Sequence, residues 1–327
     1  DVIYLAPTAS GDHTSAAVGA AAEVTELIGR LVQAGRAARL WVITSGVRSP
    51  RTRDSLPQSA LWGLATVIAE EQPEHWGGLI DLPAGVTPAA VAEQIAARLA
   101  APLRSISALV DDEWLVPTPV LVDAAPVRQT LRCRPDAAYL VTGGFGALGL
   151  VIADWLAGLG ARRIILAGRH ALPPRREWDS ADLDTRVRHR IECIRALESR
   201  GVAVEPTALD VSDADAVRGL LGRRDDAGCP PVAGVVHAAG VTENHLVTDT
   251  DAVALHTVMQ PKIGGAQALS DVFANSELDF FHVTGSAGAP FGIPGQGGYA
   301  AANAYLDALA RFDHAAGRHT LSIDWVC

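Results

Sequence analysis

Four residues late in the chain carry side chains that together could reduce a carbonyl group: Lys262, Ser286, Tyr299 and Asn303. Tyr299 and Asn303 are four positions apart in an alanine-rich stretch, so a helix there would place both on one face. Ser286 precedes the tyrosine by thirteen residues. A hydroxyl can hold a carbonyl oxygen, a phenol can supply a proton, and an ammonium can lower the pKa of the phenol. The set therefore predicts carbonyl reduction.

Within this set, the lysine has a role that an arginine could not simply take over. A tyrosine has an unperturbed pKa near ~10 and needs a neighbouring cation to pass a proton efficiently at neutral pH. Lys262 stands in a chain whose basic residues are nearly all arginine, and arginine has a higher pKa and a planar head of different reach. Each residue alone also fits an ordinary role: surface lysine, turn-capping serine, core tyrosine or polar helix residue. Their order and spacing favour catalysis.

A glycine-rich turn upstream offers a place for a dinucleotide. It leaves a predicted strand and opens a predicted helix, so that its backbone N–H groups and the helix dipole could face a pyrophosphate. Its spacing differs from the commonest dinucleotide fingerprint, and an ordinary tight turn is the alternative interpretation. The turn consists of Thr142, Gly143, Gly144, Phe145, Gly146, Ala147, Leu148 and Gly149.

The next strand ends in an arginine, where a site for NAD usually offers a carboxylate to the ribose hydroxyl. The cationic fork of Arg169 suits a 2′-phosphate, so NADPH is the predicted cofactor. A solvated arginine without a ligand is the alternative. Asp210 ends the following strand, where adenine contact and helix capping are equally compatible with the sequence.

Apolar periodicity divides the chain into two halves of alternating strand and helix patterns. Residues 1–132 end in a predicted hairpin or pair of edge strands over 106–122, and no glycine-rich turn follows their first strand. Residues 133–327 repeat the pattern more strictly. The sequence thus predicts an α/β fold with two Rossmann-like subdomains, an N-terminal structural one without cofactor and a C-terminal doubly wound parallel-sheet catalytic one.

Helical spacing predicts a helix over 20–34 in the first half and another over 299–316 in the second. Around the lysine the pattern predicts two separate helices, one before Lys262 and one over 266–274.

Composition excludes several classes of function. Hydrophobic residues make up 49% and charged residues 20%, which is ordinary for a globular protein with a core. A net charge of −10 argues against nucleic acid or an anionic membrane as partner, and no apolar run is long enough to cross a bilayer. The four cysteines show no metal-binding or redox spacing, which predicts a reduced, cytoplasmic protein without a metal site. Because it starts at Asp1 and ends at Cys327, the chain is expected to be excised from a longer polypeptide.

These residues and motifs make the chain similar in sequence to one protein family. It resembles the ketoreductase domain of a modular type I polyketide synthase, an extended short-chain dehydrogenase/reductase, over essentially its full length. In the first half, two stretches are similar to the truncated, non-catalytic reductase-like subdomain of that family. The matching stretches are 142–149, His237-Ala-Ala-Gly240, Pro261-Lys262, 295–309, Ala60-Leu-Trp-Gly-Leu64 and Trp76-Gly-Gly-Leu-Ile-Asp-Leu-Pro83.

The resemblance implies NADPH-dependent reduction of a β-ketoacyl chain carried on an acyl carrier protein, beside neighbouring synthase domains. Tyr299 would deliver the proton, Ser286 would steady the oxygen, Lys262 would tune the tyrosine and hold the ribose, and Asn303 would hold a water or the lysine. The exchange of lysine and asparagine between positions 262 and 303 is itself a mark of the family. Further cofactor contacts would come from Val211, His237, Ala238, Ala239 and Gly240.

The residues implied in stereocontrol depart from the family patterns. Where members of one class carry Leu-Asp-Asp, this chain has Thr242-Glu-Asn244, and where the other class often carries tryptophan it has Phe291. Gln296 is the third residue of this group. The missing aspartate leans toward the class that gives an L-configured alcohol. The chain is also expected to end before the lid helices and last strand of the family.

Two alternatives stay open. One is a free-standing short-chain dehydrogenase acting on a small alcohol or ketone. The α/β pattern of the first half, which lacks a glycine-rich turn, argues against it. The other is a redox-inactive structural or epimerising domain, and such domains usually lose the tyrosine or the glycine turn, both of which this chain keeps.

Overall fold

The fold consists of two mainly parallel β-sheets with helices between the strands, which confirms the predicted α/β class with two Rossmann-like parts. The computed structural model describes residues 1–35, 37–50, 52–100, 105–121, 131–180 and 182–326. The strands are β1 (Val2–Leu5), β2 (Leu40–Ser45), β3 (Trp76–Leu82), β4 (Ile106–Val110), β5 (Glu113–Leu115), β6 (Ala138–Thr142), β7 (Arg163–Gly168), β8 (Ala203–Ala208), β9 (Val232–His237), β10 (Phe280–Ser286) and β11 (Thr320–Trp325). The α-helices are α1 (His13–Ala34), α2 (Ala60–Glu71), α3 (Ala92–Ala100), α4 (Ala147–Gly158), α5 (Thr185–Ser199), α6 (Ala214–Asp226), α7 (Ala252–Val272), α8 (Gly288–Phe291) and α9 (Gly297–Ala315).

The first sheet follows chain order, β1-β2-β3-β4-β5. Strands β1 to β4 pair in parallel, and β5 pairs antiparallel with β4, which confirms the predicted hairpin within the described residues. Asp111 and Asp112 form its turn with φ of 48° and 65°. Two successive left-handed residues suit a tight hairpin, and aspartate tolerates that region better than most side chains.

The second sheet has the order β11-β10-β9-β6-β7-β8. Strand β6, the first of these in the chain, pairs in parallel with β7 on one side and β9 on the other. The strand order therefore reverses direction at β6, and in such sheets a ligand crevice forms beyond the carboxyl ends of the strands at this point. The glycine turn follows β6 directly.

Contacts within the chain group its residues into two compact units. One unit contains residues 1–121, 241–264 and 284–327, and the other contains 122–240 and 265–283. The second unit has its own apolar core, in which the fully buried Tyr139 and Leu156 pack with residues of β7, α5 and β9. The predicted boundary of the subdomains at residue 132 follows chain order and stays a prediction.

Helix α1 begins at His13, seven residues before the predicted start. Asp12 caps it, because its carboxylate accepts the backbone N–H groups of Thr14 and Ser15 at 3.0 and 3.2 Å. A carboxylate at this position supplies acceptors that the first turn of a helix lacks and interacts favourably with the dipole. The apolar periodicity missed this turn because its residues are small or polar.

The two helices predicted around Lys262 form one helix, α7, so that prediction is wrong. Pro261 lies inside α7, although proline removes a hydrogen bond and usually breaks a helix. Met259 and Ile263 on either side of it are fully buried, and burial of these apolar side chains outweighs the local penalty. Among the described residues, no helix is both long and apolar enough to cross a membrane.

Candidate active site

Lys262 is buried in the middle of α7, with 3% of its surface exposed. Its Nζ donates a hydrogen bond to the backbone carbonyl oxygen of Thr284 at 2.8 Å. It is the only lysine in the sequence. A solvated surface lysine, the alternative that the sequence left open, does not fit this burial.

Burial changes the acidity of this ammonium. Loss of hydration lowers the pKa of Lys262 from 10.5 to about 8, and the carboxylates of Asp307 and Asp324 partly oppose the shift. A low-dielectric site disfavours the charged form of an amine, whereas nearby anions favour it. The lysine can therefore change its charge near neutral pH.

Tyr299 and Asn303 lie in α9, four residues apart as predicted. The Nζ of Lys262 lies 5.2 Å from the centre of the Tyr299 ring, close enough for the cation to act on the phenol. Asn303 is fully buried, and its Nδ2 donates a hydrogen bond to the carbonyl oxygen of Tyr299 at 2.8 Å. Its Oδ1 accepts no hydrogen bond from any residue that the structure describes. A buried acceptor without a donor costs free energy, so a water or ligand donor fits this position.

Ser286 is the last residue of β10, two positions after the carbonyl that binds Lys262. Its Oγ accepts the backbone N–H of Gly288 at 3.2 Å. This bond leaves the hydroxyl hydrogen available, because the serine oxygen acts there as acceptor. Strand β10 thus carries both the partner of the lysine and the predicted oxyanion donor.

Two acidic residues near the lysine escaped the sequence-based prediction. Asp307 lies eight residues after Tyr299 on α9, and its Oδ1 accepts a hydrogen bond from the Ser322 hydroxyl at 2.6 Å. Burial raises the pKa of Asp307 from its usual value, and it raises that of Asp324 to about 6. Helical spacing from Tyr299 through Asn303 to Asp307 was the available signal, since residues at i, i+4 and i+8 share a face. For Asp324, on β11, no sequence pattern pointed to the lysine.

The glycine turn in the second unit is built for close backbone approach. Gly143 has φ of +64°, and a Cβ there would overlap the carbonyl of Ala238. A Cβ on Gly149 would likewise overlap the carbonyl of Gly143. Gly146 caps α4 without a side chain, and the first turn of α4 has no acidic residue. Free N–H groups at the start of a helix without a capping side chain fit an anion such as a pyrophosphate.

The neighbours of this turn include most of the other predicted cofactor residues. The Nδ1 of buried His237 lies 2.8 Å from the Thr142 Oγ1, and the N–H of Ala238 donates to the Thr142 carbonyl. Side chains of Val211 and His237 pack where a Cβ on Gly265 would lie. The remaining predicted contacts in the turn and in the segment after β9 are Gly144, Phe145, Leu148, Ala239 and Gly240.

Arg169 and Asp210 differ in the contacts that their side chains make with the rest of the protein. Arg169 is exposed directly after β7 and makes no ion pair or hydrogen bond with another described residue. Asp210 accepts the backbone N–H of Ser212 at 3.0 Å through its Oδ1. This bond lies in the turn before α6, and the N-cap of α6 is Asp213, so Asp210 does not cap that helix; its contact with adenine stays a prediction.

The three residues assigned to stereocontrol lie in the first unit. Asn244 is exposed next to Gly295, and the N–H of His245 donates to the Gly295 carbonyl at 2.9 Å. His245 and Gln296 form an isolated parallel bridge, which brings Asn244 and Gln296 together. Phe291 ends α8 with 63% of its surface exposed, so it does not pack in the core.

Among the residues that the structure describes, no three histidine, cysteine or acidic side chains are grouped so as to hold a metal ion.

Comparison with known proteins places this arrangement in a family. Residues 137–327 match the family model for the KR domain. The chain is 50% identical over 331 residues to one subunit of the phenolphthiocerol/phthiocerol polyketide synthase of Mycobacterium tuberculosis, covering 99% of this chain and 18% of the relative. It is 38% identical to 6-methylsalicylic acid synthase of Aspergillus terreus, covering 93% of this chain and 17% of the relative. The chain thus spans less than a fifth of the length of these relatives.

Solved structures show the same likeness. An A1-type ketoreductase is 34% identical with a TM-score of 0.80, covering 98% of this chain and 65% of that one. An A-type ketoreductase from a modular polyketide synthase is 33% identical with a TM-score of 0.80, covering 94% and 63%. A ketoreductase from the first module of phoslactomycin biosynthesis in Streptomyces sp. HK803 is 28% identical with a TM-score of 0.75, covering 99% and 77%.

Proposed function

This chain belongs to the KR domain family of polyketide synthase ketoreductases, and we propose that it reduces a β-ketoacyl group to a β-hydroxyacyl group with NADPH. The observation that carries the proposal is the buried Lys262 ammonium 5.2 Å from the Tyr299 ring. An enzyme that passes a proton from a phenol to a developing alkoxide needs a cation beside that phenol. Burying an ammonium costs free energy, so a role beside the phenol gives the burial of this lysine a physical reason.

The proton and oxygen chemistry is assigned to the residues of the first unit. Tyr299 donates its phenolic proton to the oxygen of the former ketone, which becomes the hydroxyl. The Ser286 hydroxyl donates a hydrogen bond to that oxygen as negative charge builds on it. Lys262 stabilises the phenolate that remains. Asn303 holds a water through its unpartnered Oδ1, so that the tyrosine can be reprotonated.

NADPH is the proposed cofactor, and when bound it supplies the hydride that reaches the β-carbon. The N–H groups of the turn from Gly143 to Gly149 bind its pyrophosphate. Exposed Arg169, free of other charged partners among the described residues, binds the 2′-phosphate. The support for this assignment is the start of α4, where Gly146 offers no capping side chain, and the close backbone packing at Gly143 and Gly149, which a Cβ would disturb.

We propose that the substrate arrives as a thioester on the phosphopantetheine of an acyl carrier protein. The relatives that this chain matches are synthases more than five times its length, which supports neighbouring synthase domains as partners. The expected product is the L-configured alcohol, since the chain has Asn244 where the other class has an aspartate.

The test is reduction of a racemic α-methyl-β-keto thioester with NADPH, followed by chiral analysis of the product. Tyr299→Phe should lower turnover by at least about 100-fold, the usual contribution of a positioned acid, while NADPH affinity stays within a few-fold. Tyr4→Phe, which removes a hydroxyl from β1 outside the site, is the matched control. Undiminished reduction by Tyr299→Phe would remove the tyrosine as the acid.

The same assay separates the two alternatives. Preference for a free alcohol over the thioester would favour a free-standing dehydrogenase. Failure to bind NADPH, together with exchange of the α-hydrogen of the thioester with solvent, would favour an epimerising domain without redox activity.

A further inference from the structure

Glu71 joins the first half of the chain to two loops of the candidate active site. It is the last residue of α2, and its carboxylate binds two backbone N–H groups at once. Its Oε1 accepts the N–H of Gly295 at 2.7 Å, and its Oε2 accepts the N–H of Val247 at 2.6 Å. Glu71 lies 176 positions before Val247 and 224 positions before Gly295 in the chain. Only the fold brings the three residues together.

The position of this carboxylate has no local advantage. An anion at the carboxyl end of a helix faces the negative end of the helix dipole and destabilises the helix. Hydrogen bonds from N–H groups to an ionised acceptor are stronger than those between neutral groups and can outweigh this penalty. The contacts with Val247 and Gly295 therefore give the acidic side chain its physical reason for being there.

The two loops held by Glu71 carry residues assigned to stereocontrol. Val247 follows Asn244 by three residues, and Gly295 immediately precedes Gln296 and helix α9. The loops are also joined directly by the bond from the His245 N–H to the Gly295 carbonyl at 2.9 Å. Gly295 has φ of +84°, which a residue with a side chain rarely adopts.

Helix α2 supports the third such segment as well. The Thr66 hydroxyl donates to the carbonyl of Ala289 at 3.0 Å, two residues before Phe291. A Cβ on Gly292, whose φ is +68°, would lie 2.6 Å from the Thr66 carbonyl oxygen. One helix of the half without a glycine turn thus contacts the segments of Asn244, Phe291 and Gln296.

We propose that Glu71 is a positioning residue that sets the orientation of the substrate by fixing the loops of Asn244 and Gln296 relative to Tyr299. This inference rests on the proposed reduction of a β-ketoacyl group. Through Glu71, the first half of the chain then controls the configuration of the product, although the Glu71 side chain itself binds neither cofactor nor substrate.

Glu71→Gln tests the inference, because the amide keeps the size of the side chain but offers an acceptor to only one of the two N–H groups. Glu70→Gln, an exposed neighbour on the same helix, is the matched control. With the racemic α-methyl-β-keto thioester, Glu71→Gln should raise the fraction of minor stereoisomers roughly tenfold, the effect of one lost hydrogen bond to a charged group. KM for the thioester should rise more than kcat falls, and the affinity for NADPH should match that of Glu70→Gln.

A merely structural role predicts a different result: lower thermal stability with the product ratio unchanged, which would overturn the inference. If Glu71→Gln does not fold, Glu71→Asp retains the charge on a shorter stem and should shift the product ratio in the same direction; an unshifted ratio would also overturn it. Absence of any reduction by the unaltered protein would instead refute the proposed function.

Discussion

At the scale of single residues, the surroundings of Lys262 set the pKa of its ammonium. Its ammonium is buried, bound to the carbonyl oxygen of Thr284 and placed near two carboxyl groups. Each carboxylate favours the charged lysine and so partly offsets the effect of burial. The balance leaves a pKa of about 8, which couples the charge beside Tyr299 to pH in the physiological range.

Titration of this lysine gives a direct prediction. Reductase activity should fall as pH rises through about 8, because the neutral amine no longer stabilises the phenolate. Asp307→Asn removes a carboxylate that raises the pKa of Lys262, so this alkaline limb should move to lower pH. Since the sequence contains one lysine, incorporation of lysine labelled with ¹³C at the ε-carbon gives a single NMR resonance that reports its titration.

The control for this experiment is Glu277→Gln, which makes the same change of charge at an exposed position. It should leave both the resonance and the pH profile in place. An unaltered midpoint for Lys262 in Asp307→Asn would show that the carboxylate does not act on the ammonium.

Arg169 carries the prediction for cofactor choice. Arg169→Ala should raise KM for NADPH by about tenfold or more, the effect expected for charge-assisted bonds to a phosphate, while KM for NADH changes little. Initial rates with the two cofactors measure the difference. Arg163→Ala, at the opposite end of β7, serves as control. Equal changes for NADPH and NADH would show that Arg169 does not bind the 2′-phosphate.

At the scale of elements, helix packing determines where the candidate catalytic residue Tyr299 lies. Helices α2 and α9 approach so closely at Gly63 that a Cβ there would overlap the carbonyl of Ala300, the residue after Tyr299. Alanines dominate α9, and small side chains allow backbones to approach in this way. The position of the phenol thus depends on a helix from the other half of the sequence.

Gly63→Ala tests this packing. A methyl group at this position has to push α2 away from α9, which should destabilise the protein by about 1–3 kcal/mol and lower kcat. Thermal unfolding and turnover measure the two effects. Gly29→Ala is the control, since a Cβ there meets no atom within 4 Å and helix propensity alone predicts stabilisation of up to about 1 kcal/mol. A Gly63→Ala protein as stable and active as the unaltered one would contradict the packing argument.

At the scale of the whole molecule, the candidate catalytic set belongs to a unit assembled from distant parts of the chain. Residues 1–121 contact 241–264 and 284–327 within that unit. These contacts include the bonds of Glu71 and Thr66 and the packing at Gly63. Residues of the first half are therefore part of the scaffold that holds the candidate catalytic side chains.

Dividing the chain tests this dependence. Residues 133–327 expressed alone should lose reductase activity, because the buried faces of α9 lose their partners on α2. Co-expression with residues 1–121 should restore activity in part. Turnover of the thioester by the single fragment and by the purified pair measures the effect. Full activity of residues 133–327 alone would refute the requirement for the first half.

Prediction from sequence succeeded where the relevant information was local. The parallel sheets, the hairpin at β4 and β5 and the shared helix of Tyr299 and Asn303 follow from periodicity over a few residues. It was wrong around Lys262, where two helices were predicted instead of α7, since a local pattern does not report the burial of Met259 and Ile263. The roles of the predicted site residues stay predictions until the variants are measured.

The sequence by itself determined which reactive groups this protein has, the order in which they occur and the glycine turn that suits a dinucleotide, because motif spacing and side-chain chemistry belong to the chain. Only the tertiary structure decided that Lys262 is dehydrated near Asp307 and that Glu71 binds the N–H groups of Val247 and Gly295. Burial and hydrogen bonding depend on residues far apart in the chain, and no local pattern specifies them.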